Sequence, residues 1–408
     1  MQSVCLIFEK WEIRGERSII IMSQGHPTAQ AVTSGPGHHF FGYYDKCPWD
    51  ASGRYMLGLE TTFMDRPPTP DDTAVIGLID TASDNRWEPI AETRAWNWQQ
   101  GTMLRWLSSA PDRLIIYNDR EEDRFISVIR DVRTGDTRKL PRPVYAVSHD
   151  GRLAVTLNFA RLHRTSPGYG YAGLPDHWAE ENCPDKDGIY WMDLTTGEER
   201  LIISLAQIVR IRPNPTMQGV EHWFNHLLFN SDDSRFLFLH RWRRPDGGWF
   251  TRMFTADPDG SNIYCVSDHE MVSHFDWRDE RRILAWARRH EVGDRYFLFT
   301  DRADEREIIG EGVLTTDGHC SYSPDRHWIL TDTYPDQEDM RSLLLYRPAD
   351  GRRVDIGRFF SPSKLKGEIR CDLHPRWSRD GRKVCFDSAH EDSRQMYVVD
   401  VGKVISRP

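Results

Sequence analysis

The stretch FNSDDSRFLFLHRW, residues 229–242, contains the pattern that decides the fold. An aromatic residue leads into a turn rich in Asp and Ser, and an alternating apolar strand follows the turn. Turn residues between two short apolar runs are typical of a β-hairpin. The same phrase recurs along the chain, starting at Cys47, Leu107, Val147, Trp277, Tyr322 and Trp377. The sequence therefore contains seven related hairpin units.

A second pair of strands follows most of these hairpins, as in AVIGLIDTASD from Ala74 and SLLLYRPADGR from Ser342. The units are spaced by roughly 40–60 residues, which is the period of a four-stranded propeller blade. We therefore predict an all-β fold, a seven-bladed β-propeller over residues 38–408, preceded by a partly disordered extension over residues 1–37. A pair of β-sandwiches is the alternative, but seven equivalent units and the protection of strand edges in a propeller disfavour it.

The composition narrows the range of partners. The 408 residues carry a formal net charge of -9, and the pI is near 6.0, which is unlike the basic footprint of a nucleic-acid-binding protein. No apolar run reaches the ~18 residues of a membrane helix, and charged residues interrupt the N-terminal apolar stretch, unlike in a secretory signal. The seven cysteines are scattered, which is typical of reduced thiols. We expect a cytoplasmic protein that binds neither nucleic acid nor membranes.

Four of the repeat units share a histidine three residues before their leading aromatic residue. These histidines are His226, His274, His319 and His374. Equivalent positions on the inner strands of a propeller converge on its axis, and neutral imidazole is the commonest transition-metal ligand. We therefore predict a divalent metal, zinc or manganese, with His240 as a further ligand and Asp332 as a supporting carboxylate. The alternative is a set of structural histidines, copied with the repeat.

A second group of polar side chains surrounds the third repeat unit. It combines guanidinium, imidazole and phenol groups in the segment RLHRTSPGYGYAG and just before it. Its members are Tyr145, Arg161, His163, Arg164, Tyr169 and Tyr171. Arginine binds carboxylates through two parallel hydrogen bonds, and a nearby tyrosine or histidine can move a proton, so the set suits an acidic sugar. The alternative is a rigid loop on the propeller rim, with Arg161 in a structural ion pair.

The segment GHHFFGYYDK, residues 37–46, precedes the first repeat unit. We interpret it mainly as the strand that closes the ring by pairing with the last blade. Lys46 stands at the position equivalent to the four histidines, so we also expect its side chain to point toward the axis. The later segment WNWQQG supplies flat aromatic faces and the amide of Gln100, a combination common in carbohydrate sites, although tryptophans are more often part of a core.

Three stretches together resemble the β-propeller polysaccharide lyases, a group of oligogalacturonate, ulvan and rhamnose–glucuronate lyases. They read GHHFFGYYDKCPWDASGRYMLGLE, RLHRTSPGYGYAG and RCDLHPRWSRDGRKVCFDS. TolB-like propellers of unknown function share the same repeats, and the resemblance extends from about His38 to Asp400. The stretch NHLLFNSDDSRFLFLHRW, which contains His226 and His240, is similar to the metal-binding blade of the oligogalacturonate lyases.

The resemblance implies β-elimination at a uronic acid of an oligosaccharide. A positive group neutralises the carboxylate, a base removes the adjacent proton, and an acid protonates the leaving oxygen. The family's tyrosine and arginine roles match best at Tyr145 and Arg161, with His163 as a second proton-transfer candidate. The ulvan-type lyases use paired histidines on early blades, and this sequence has Gln100 and Asn118 there. We expect the substrate to be bound by Lys46, Gln100, Asn118, Arg164, Tyr169 and Tyr171.

Other classes of function stay open at this point. The chain can be a non-catalytic propeller that binds a protein or a glycan on its channel face. A glycoside hydrolase would need two carboxylates at a defined separation, for which only Asp332 and Asp387 stand at equivalent positions. The sequence contains no phosphate-binding loop, serine-hydrolase elbow, HExxH motif or dinucleotide fingerprint. A cytoplasmic lyase acting on acidic oligosaccharides is therefore the leading hypothesis.

Overall fold

A computed structural model describes residues 27–406 and shows seven four-stranded antiparallel sheets arranged in a ring. This confirms the predicted all-β, seven-bladed β-propeller. Most of the extension predicted over residues 1–37 lies outside the described residues. The first strand within residues 27–406, β1 (Gln30–Ala31), belongs to the seventh blade.

The first three blades follow one another along the chain, each running from the axis outward. Blade 1 contains β2 (His38–Phe40), β3 (Tyr55–Thr61), β4 (Ala74–Asp80) and β5 (Arg86–Thr93). Blade 2 contains β6 (Arg105–Trp106), β7 (Leu114–Arg120), β8 (Phe125–Asp131) and β9 (Thr137–Leu140). Blade 3 contains β10 (Ala146–Val147), β11 (Leu153–Thr156), β12 (Gly188–Asp193) and β13 (Glu199–Ser204).

The remaining blades repeat this order. Blade 4 contains β14 (His222–Phe229), β15 (Phe236–Arg243), β16 (Trp249–Ala256) and β17 (Tyr264–Ser267). Blade 5 contains β18 (Val272–Trp277), β19 (Arg282–Arg289), β20 (Gly293–Thr300) and β21 (Arg306–Ile308). Blade 6 contains β22 (Ser321–Tyr322), β23 (Ile329–Asp332), β24 (Met340–Arg347) and β25 (Arg352–Phe360). Blade 7 contains β26 (Arg376–Trp377), β27 (Lys383–Ser388), β28 (Gln395–Asp400) and β1.

The tryptophans that lead two of the repeat units pack against neighbouring blades. The indole N–H of Trp106 donates to the carbonyl of Pro48 at 2.9 Å, and that of Trp277 donates to the carbonyl of Leu228 at 3.2 Å. Both tryptophans are almost fully buried. A buried indole fills the space between two sheets and needs one acceptor for its N–H, which explains why the repeat favours tryptophan at this position.

Helices are few and short. They are α1 (Phe159–Thr165), α2 (Leu205–Val209) and α3 (Gly402–Ile405), with 3₁₀ turns at Pro215–Met217 and Gly367–Ile369. Helix α1 lies in the long connection between β11 and β12, and the side chain of Asn158 caps its first turn. No helix in the described part of the chain is long and apolar enough to cross a membrane.

The ring closes through β1, which pairs with β28 in the register Gln30↔Val398. The prediction that residues 37–46 form the closing strand is therefore wrong. His38–Phe40 instead starts the inner edge of blade 1, where it pairs antiparallel with β3. The chain then leaves the sheet and rejoins it only at the isolated bridge between Trp49 and Met56. The intervening residues 41–48 form an axial loop.

Candidate functional site

The histidines that share one register come together at the axis. The ring centroids of His274 and His319 are 4.0 Å apart, and those of His319 and His374 are 4.3 Å apart. His226 joins them through Tyr43, whose ring stacks on it at 5.1 Å with an interplanar angle of 3°. All four histidines are buried. Equivalent positions in successive blades thus converge, as the repeat pattern predicts.

Local backbone irregularities help to present these side chains. The pairing of β14 with β15 shifts register between Asn225 and Leu228, and His226 lies within that bulge. His226 has a positive φ of 50°, and His374 has one of 43°. A β-bulge turns a strand locally and redirects a side chain, and non-glycine residues with positive φ cluster at functional sites. The imidazoles therefore lie where the regular sheet is interrupted.

The axial loop places two phenol rings between the histidines. Tyr43 contacts the rings of His226, His319 and His374, and Tyr44 contacts those of His274 and His319. The hydroxyl of Tyr44 donates to the carbonyl of Phe275 at 2.9 Å. The loop therefore fills the centre of the ring with aromatic side chains.

Two of the axial histidines and a neighbouring carboxylate can together hold a metal ion. The donor atoms of His319, His374 and Asp372 all lie within 4.8 Å of one another. Donors bound at about 2.0–2.2 Å from one ion lie within about 4.4 Å of each other, so a movement of roughly half an ångström would close the site.

The chemistry of these donors fits a divalent cation. Within residues 27–406, Nε2 of both His319 and His374 is buried without a hydrogen-bond partner, which is costly unless a ligand occupies the site. Nδ1 of His319 donates to Asp332 at 2.9 Å, and this leaves Nε2 as the free acceptor. Burial lowers the pKa of His319 and His374, so both rings stay neutral and able to bind metal.

Asp372 is already charged in this arrangement. Arg341 and Arg370 contact its two carboxylate oxygens at 2.7 and 2.6 Å. Their charges outweigh the effect of burial and hold the pKa of Asp372 well below its usual range. The carboxylate is therefore ionised and available as a ligand.

A hydrogen-bond network fixes the orientation of His226. The amide nitrogen of Gln100 donates to the hydroxyl of Tyr145 at 2.7 Å and lies 3.2 Å from Nδ1 of His226. The Tyr145 hydroxyl lies 3.1 Å from the same Nδ1. Both neighbours can donate, so Nδ1 accepts and the proton resides on Nε2. Burial lowers the pKa of His226 well below its ordinary value and keeps the ring neutral.

A central cavity of about 530 Å³ opens beside this cluster. Its lining includes eight aromatic or ionisable side chains: Tyr169, His226, Arg241, Trp249, His274, Asp317, Tyr334 and Arg370. Arg241 is buried, and no hydrogen bond or ion pair joins its guanidinium to any described residue. Burial lowers the pKa of Arg241, and a buried cation without a partner is expensive. The cavity therefore presents a guanidinium that is able to bind an anion.

Two other polar groups in the cavity have defined hydrogen bonds. Nδ1 of His274 donates to the carboxylate of Asp317 at 2.9 Å, which leaves Nε2 of His274 as an acceptor. The hydroxyl of Tyr169 accepts from the Arg370 guanidinium at 2.8 Å, so its own proton is free to be donated. The cavity thus contains a cation, a base and an acid.

Arg161, predicted to bind the substrate carboxylate, does not lie in this cavity. All five of its N–H groups are used by protein acceptors: the carboxylate of Asp176 and the carbonyls of His222, Trp178, Glu181 and Asn182. The prediction is corrected to a structural role, because a guanidinium with every donor satisfied has none left for a substrate.

The neighbours of Arg161 in the sequence are also outside the cavity. Arg164 pairs with Asp176 and Glu221 at the surface, and His163 lies half-buried on α1. Tyr171 is buried, with its ring stacked on Phe159 at 4.3 Å. None of these three residues lines the cavity; of the residues predicted in that loop only Tyr169 does, alongside Ser166 and Pro167.

Asn118 and His240 are structural as well. The Asn118 side chain bonds the backbone of Val144 and the hydroxyl of Tyr171. His240 lies inside blade 4, where its Nδ1 accepts from Arg252 at 3.2 Å and its Nε2 lies 3.0 Å from Nδ1 of His222. Both nitrogens are occupied, so the prediction of His240 as a metal ligand is wrong for this geometry.

Lys46 points toward the axis, but at the end of the axis opposite to the central cavity. It is buried against Asp45 at 2.7 Å, and both line an opposite cavity of about 200 Å³. Val272–His274 face the central cavity, whereas Asp276 and Trp277 of the same strand face the opposite one. Burial raises the pKa of Asp276 to about 6.

Several residues of the site were not predicted, among them Tyr43, Arg241, Asp317, Arg370 and Asp372. Asp372 stands two residues before His374, a spacing that places both on one face of an extended segment. Arg241 follows His240 in β15, so it faces the opposite side of the sheet. The alternation of side chains along an extended segment was the sequence signal that could have identified Asp372 and Arg241.

The fold and the cavity define a class of protein: a seven-bladed β-propeller with a polar, ionisable cavity at one end of its axis. The sequence matches no protein-family profile, and no curated protein matches it.

Solved structures share the fold along nearly the whole chain. An oligogalacturonate lyase from Vibrio parahaemolyticus matches with a TM-score of 0.66 and 14% identity, over 94% of this chain and 96% of that one. An oligogalacturonate lyase in complex with manganese matches with a TM-score of 0.68 and 14% identity, over 96% of this chain and 97% of that one. TolB from Acinetobacter baumannii matches at 0.42 and 12% identity, over 86% and 81%, too loosely to support an argument. The resemblance in fold seen from the sequence is confirmed.

Proposed function

We propose that the protein is a lyase that cleaves a uronate-containing oligosaccharide by β-elimination in the central cavity. The observation that carries this proposal is Arg241, a buried guanidinium that faces the cavity without an acceptor from the described chain. A sugar carboxylate supplies the charge and the paired oxygens that such a group binds. The fold shared with two oligogalacturonate lyases agrees with this choice.

The groups in the cavity can carry out each step. Arg241 binds the carboxylate and withdraws negative charge from it, which acidifies the neighbouring C5 proton. Nε2 of His274, oriented by Asp317, accepts that proton as the general base. The C4–O4 bond breaks as the C4–C5 double bond forms, and the hydroxyl of Tyr169 gives its proton to the departing oxygen. The products are an unsaturated uronate and a shortened oligosaccharide.

The neighbouring groups hold these residues in place. The Arg370 cation contacts the Tyr169 hydroxyl and stabilises the phenolate that remains after proton donation. Tyr145 and Gln100 orient His226, which we place in the cavity wall as a donor through Nε2. We therefore assign Tyr145 and Gln100 positioning roles, in place of the direct roles that the sequence suggested.

We also propose that His319, His374 and Asp372 hold a divalent cation, manganese or zinc. Their free nitrogens and ionised carboxylate suit such an ion. When bound, such a cation would supply positive charge that can stabilise negative charge on a substrate.

The direct test uses ultraviolet absorbance of the unsaturated product. The protein is incubated with pectic, ulvan-like and rhamnose–glucuronate oligosaccharides, with and without Mn²⁺. We expect Arg241→Gln to lower kcat/KM by about 100-fold or more, and Arg244→Lys on the exposed rim to leave it unchanged. Absence of product from all three substrates would contradict the proposal, and binding without cleavage would favour a non-catalytic glycan-binding propeller.

A further inference from the structure

Exposed aromatic side chains are concentrated at the mouth of the central cavity. Four large apolar residues are exposed in the described chain, and two of them, Trp249 at 42% and Tyr334 at 37%, line this cavity. The other two, Val292 and Phe360, do not line it. Large exposed apolar groups beside a polar site mark a surface that a ligand covers.

Trp249 is held directly beside the unpaired arginine. It starts β16 in blade 4, and the Arg241 guanidinium carbon lies 5.2 Å from its ring centroid. The Trp223 ring meets it edge-on at 6.5 Å. The indole is therefore supported by the blade while two-fifths of it stays open to a ligand.

Tyr334 stands on the other side of the mouth. It follows β23 in blade 6, and its ring lies 6.3 Å from that of His274 and 6.0 Å from that of His319. The mouth is thus bounded by an aromatic ring on blade 4 and another on blade 6, with the arginine and the proposed base between them.

We propose that Trp249 is a stacking platform for the sugar unit next to the uronate whose carboxylate binds Arg241. This inference rests on the proposed function. Sugar rings present an apolar C–H face that packs on an indole, and the separation of Arg241 and Trp249 is comparable to one sugar unit. The cavity of about 530 Å³ is also larger than one monosaccharide. The site therefore selects an oligosaccharide over a free uronic acid.

Calorimetric titration of the full-length protein tests this platform. The probes are tetragalacturonate, a rhamnose–glucuronate tetrasaccharide and galacturonic acid. We expect Trp249→Ala to weaken binding of the preferred tetrasaccharide by about tenfold and to leave binding of the monosaccharide unchanged. Trp249→Phe should retain most of the affinity, because it keeps an aromatic face. Phe360→Ala, which removes an aromatic side chain of 47% exposure elsewhere, is the matched control.

The outcomes separate this inference from the lyase proposal. If tetrasaccharide binding depends on Trp249 but no unsaturated product forms, the lyase proposal is rejected and the stacking role of Trp249 stands. If the Trp249→Ala variant forms product with an unchanged KM, the lyase proposal stands and the stacking role of Trp249 is rejected. Equal weakening for tetrasaccharide and monosaccharide, or no binding of either tetrasaccharide to the unaltered protein, would also overturn the inference. Unchanged melting temperatures confirm that the variants are folded.

Discussion

Arg161 on α1 and Arg241 on β15 are both buried arginines, yet their surroundings are opposite. Every N–H of Arg161 meets a protein acceptor, whereas Arg241 meets none within residues 27–406. A buried cation with a full set of partners holds segments of the chain together, and one without partners is energetically costly and free to bind a ligand. Burial and residue type alone do not separate these two roles.

The buried histidines divide in the same way. His240 uses both ring nitrogens within blade 4, whereas Nε2 of His319 and of His374 finds no partner in the described structure. Unsatisfied buried polar atoms are rare in folded proteins and call for an explanation. Those of His319 and His374 lie close to the ionised carboxylate of Asp372, which makes these three residues the candidate metal site.

The largest expected effect is on stability. Arg161→Met removes one of the two arginine partners of the buried Asp176 carboxylate and the donor to four carbonyls, and we expect it to lower the free energy of unfolding by about 3–5 kcal/mol. Arg241→Met removes an unpaired buried charge and should leave stability equal or higher. Urea unfolding followed by tryptophan fluorescence measures both. Equal losses of unfolding free energy in the two variants would contradict the different roles assigned to Arg161 and Arg241.

Metal affinity is the next largest effect. Asp332 holds Nδ1 of His319, and weakening such a supporting carboxylate lowers metal affinity by about 10–100-fold. We therefore expect Asp332→Asn to weaken Mn²⁺ binding in equilibrium dialysis. Asp317→Asn, which alters the partner of His274, is the control and should bind Mn²⁺ normally. Equal losses in both variants, or an unaltered protein that binds no Mn²⁺, would contradict the site.

A smaller effect concerns the opposite cavity and depends on pH. The pKa of Asp276 is raised to about 6, above the ~3.9 of an unfolded chain. The unfolded state therefore loses its proton first, and stability falls as pH rises from about 4 to about 6.

Asp276→Asn removes this penalty. Since the side chain is about one-fifth exposed, we expect a gain of only about 1–2 kcal/mol at pH 7 and none at pH 4. Thermal unfolding across this pH range measures the gain, with the exposed Asp304→Asn as control. A gain that is the same at both pH values would show that Asp276 is not the titrating group.

The smallest effect is expected at Arg164, which the sequence suggested as a substrate ligand. Its side chain is 38% exposed, and its buried partner Asp176 keeps a second ion pair to Arg161, so we expect the loss of this partly exposed pair to cost only about 1 kcal/mol. Arg164→Met should therefore change the melting temperature slightly and leave the initial rate of product formation unchanged. A rate loss comparable to that of Arg241→Gln would instead indicate that the substrate binds near α1.

The fold was predictable because each repeat unit carries its own turn and strand pattern. The convergence of His226, His274, His319 and His374 followed from their common register, since equivalent inner strands meet at one axis. Closure by β1 was not predictable, because a two-residue strand has no periodicity to recognise.

The role of Arg161 could not be read from the sequence either. The long connection between β11 and β12 has no counterpart in the repeat, and its carbonyls gather around Arg161 only after folding. Arg241 was missed for a related reason. Whether a second-strand arginine finds an acceptor depends on side chains from other blades, which sequence neighbours do not reveal.

The composite seventh blade has a consequence for biosynthesis. The hydroxyl of Thr33, just after β1, bonds the side chain of Gln395 at 2.6 Å across 362 residues, so the earliest and latest parts of the chain must find each other. During translation the ring stays open until β28 emerges, and contacts of such long range form slowly. A nascent chain interrupted before residue 395 would expose unpaired edges on its terminal blades, which are ready-made templates for aggregation.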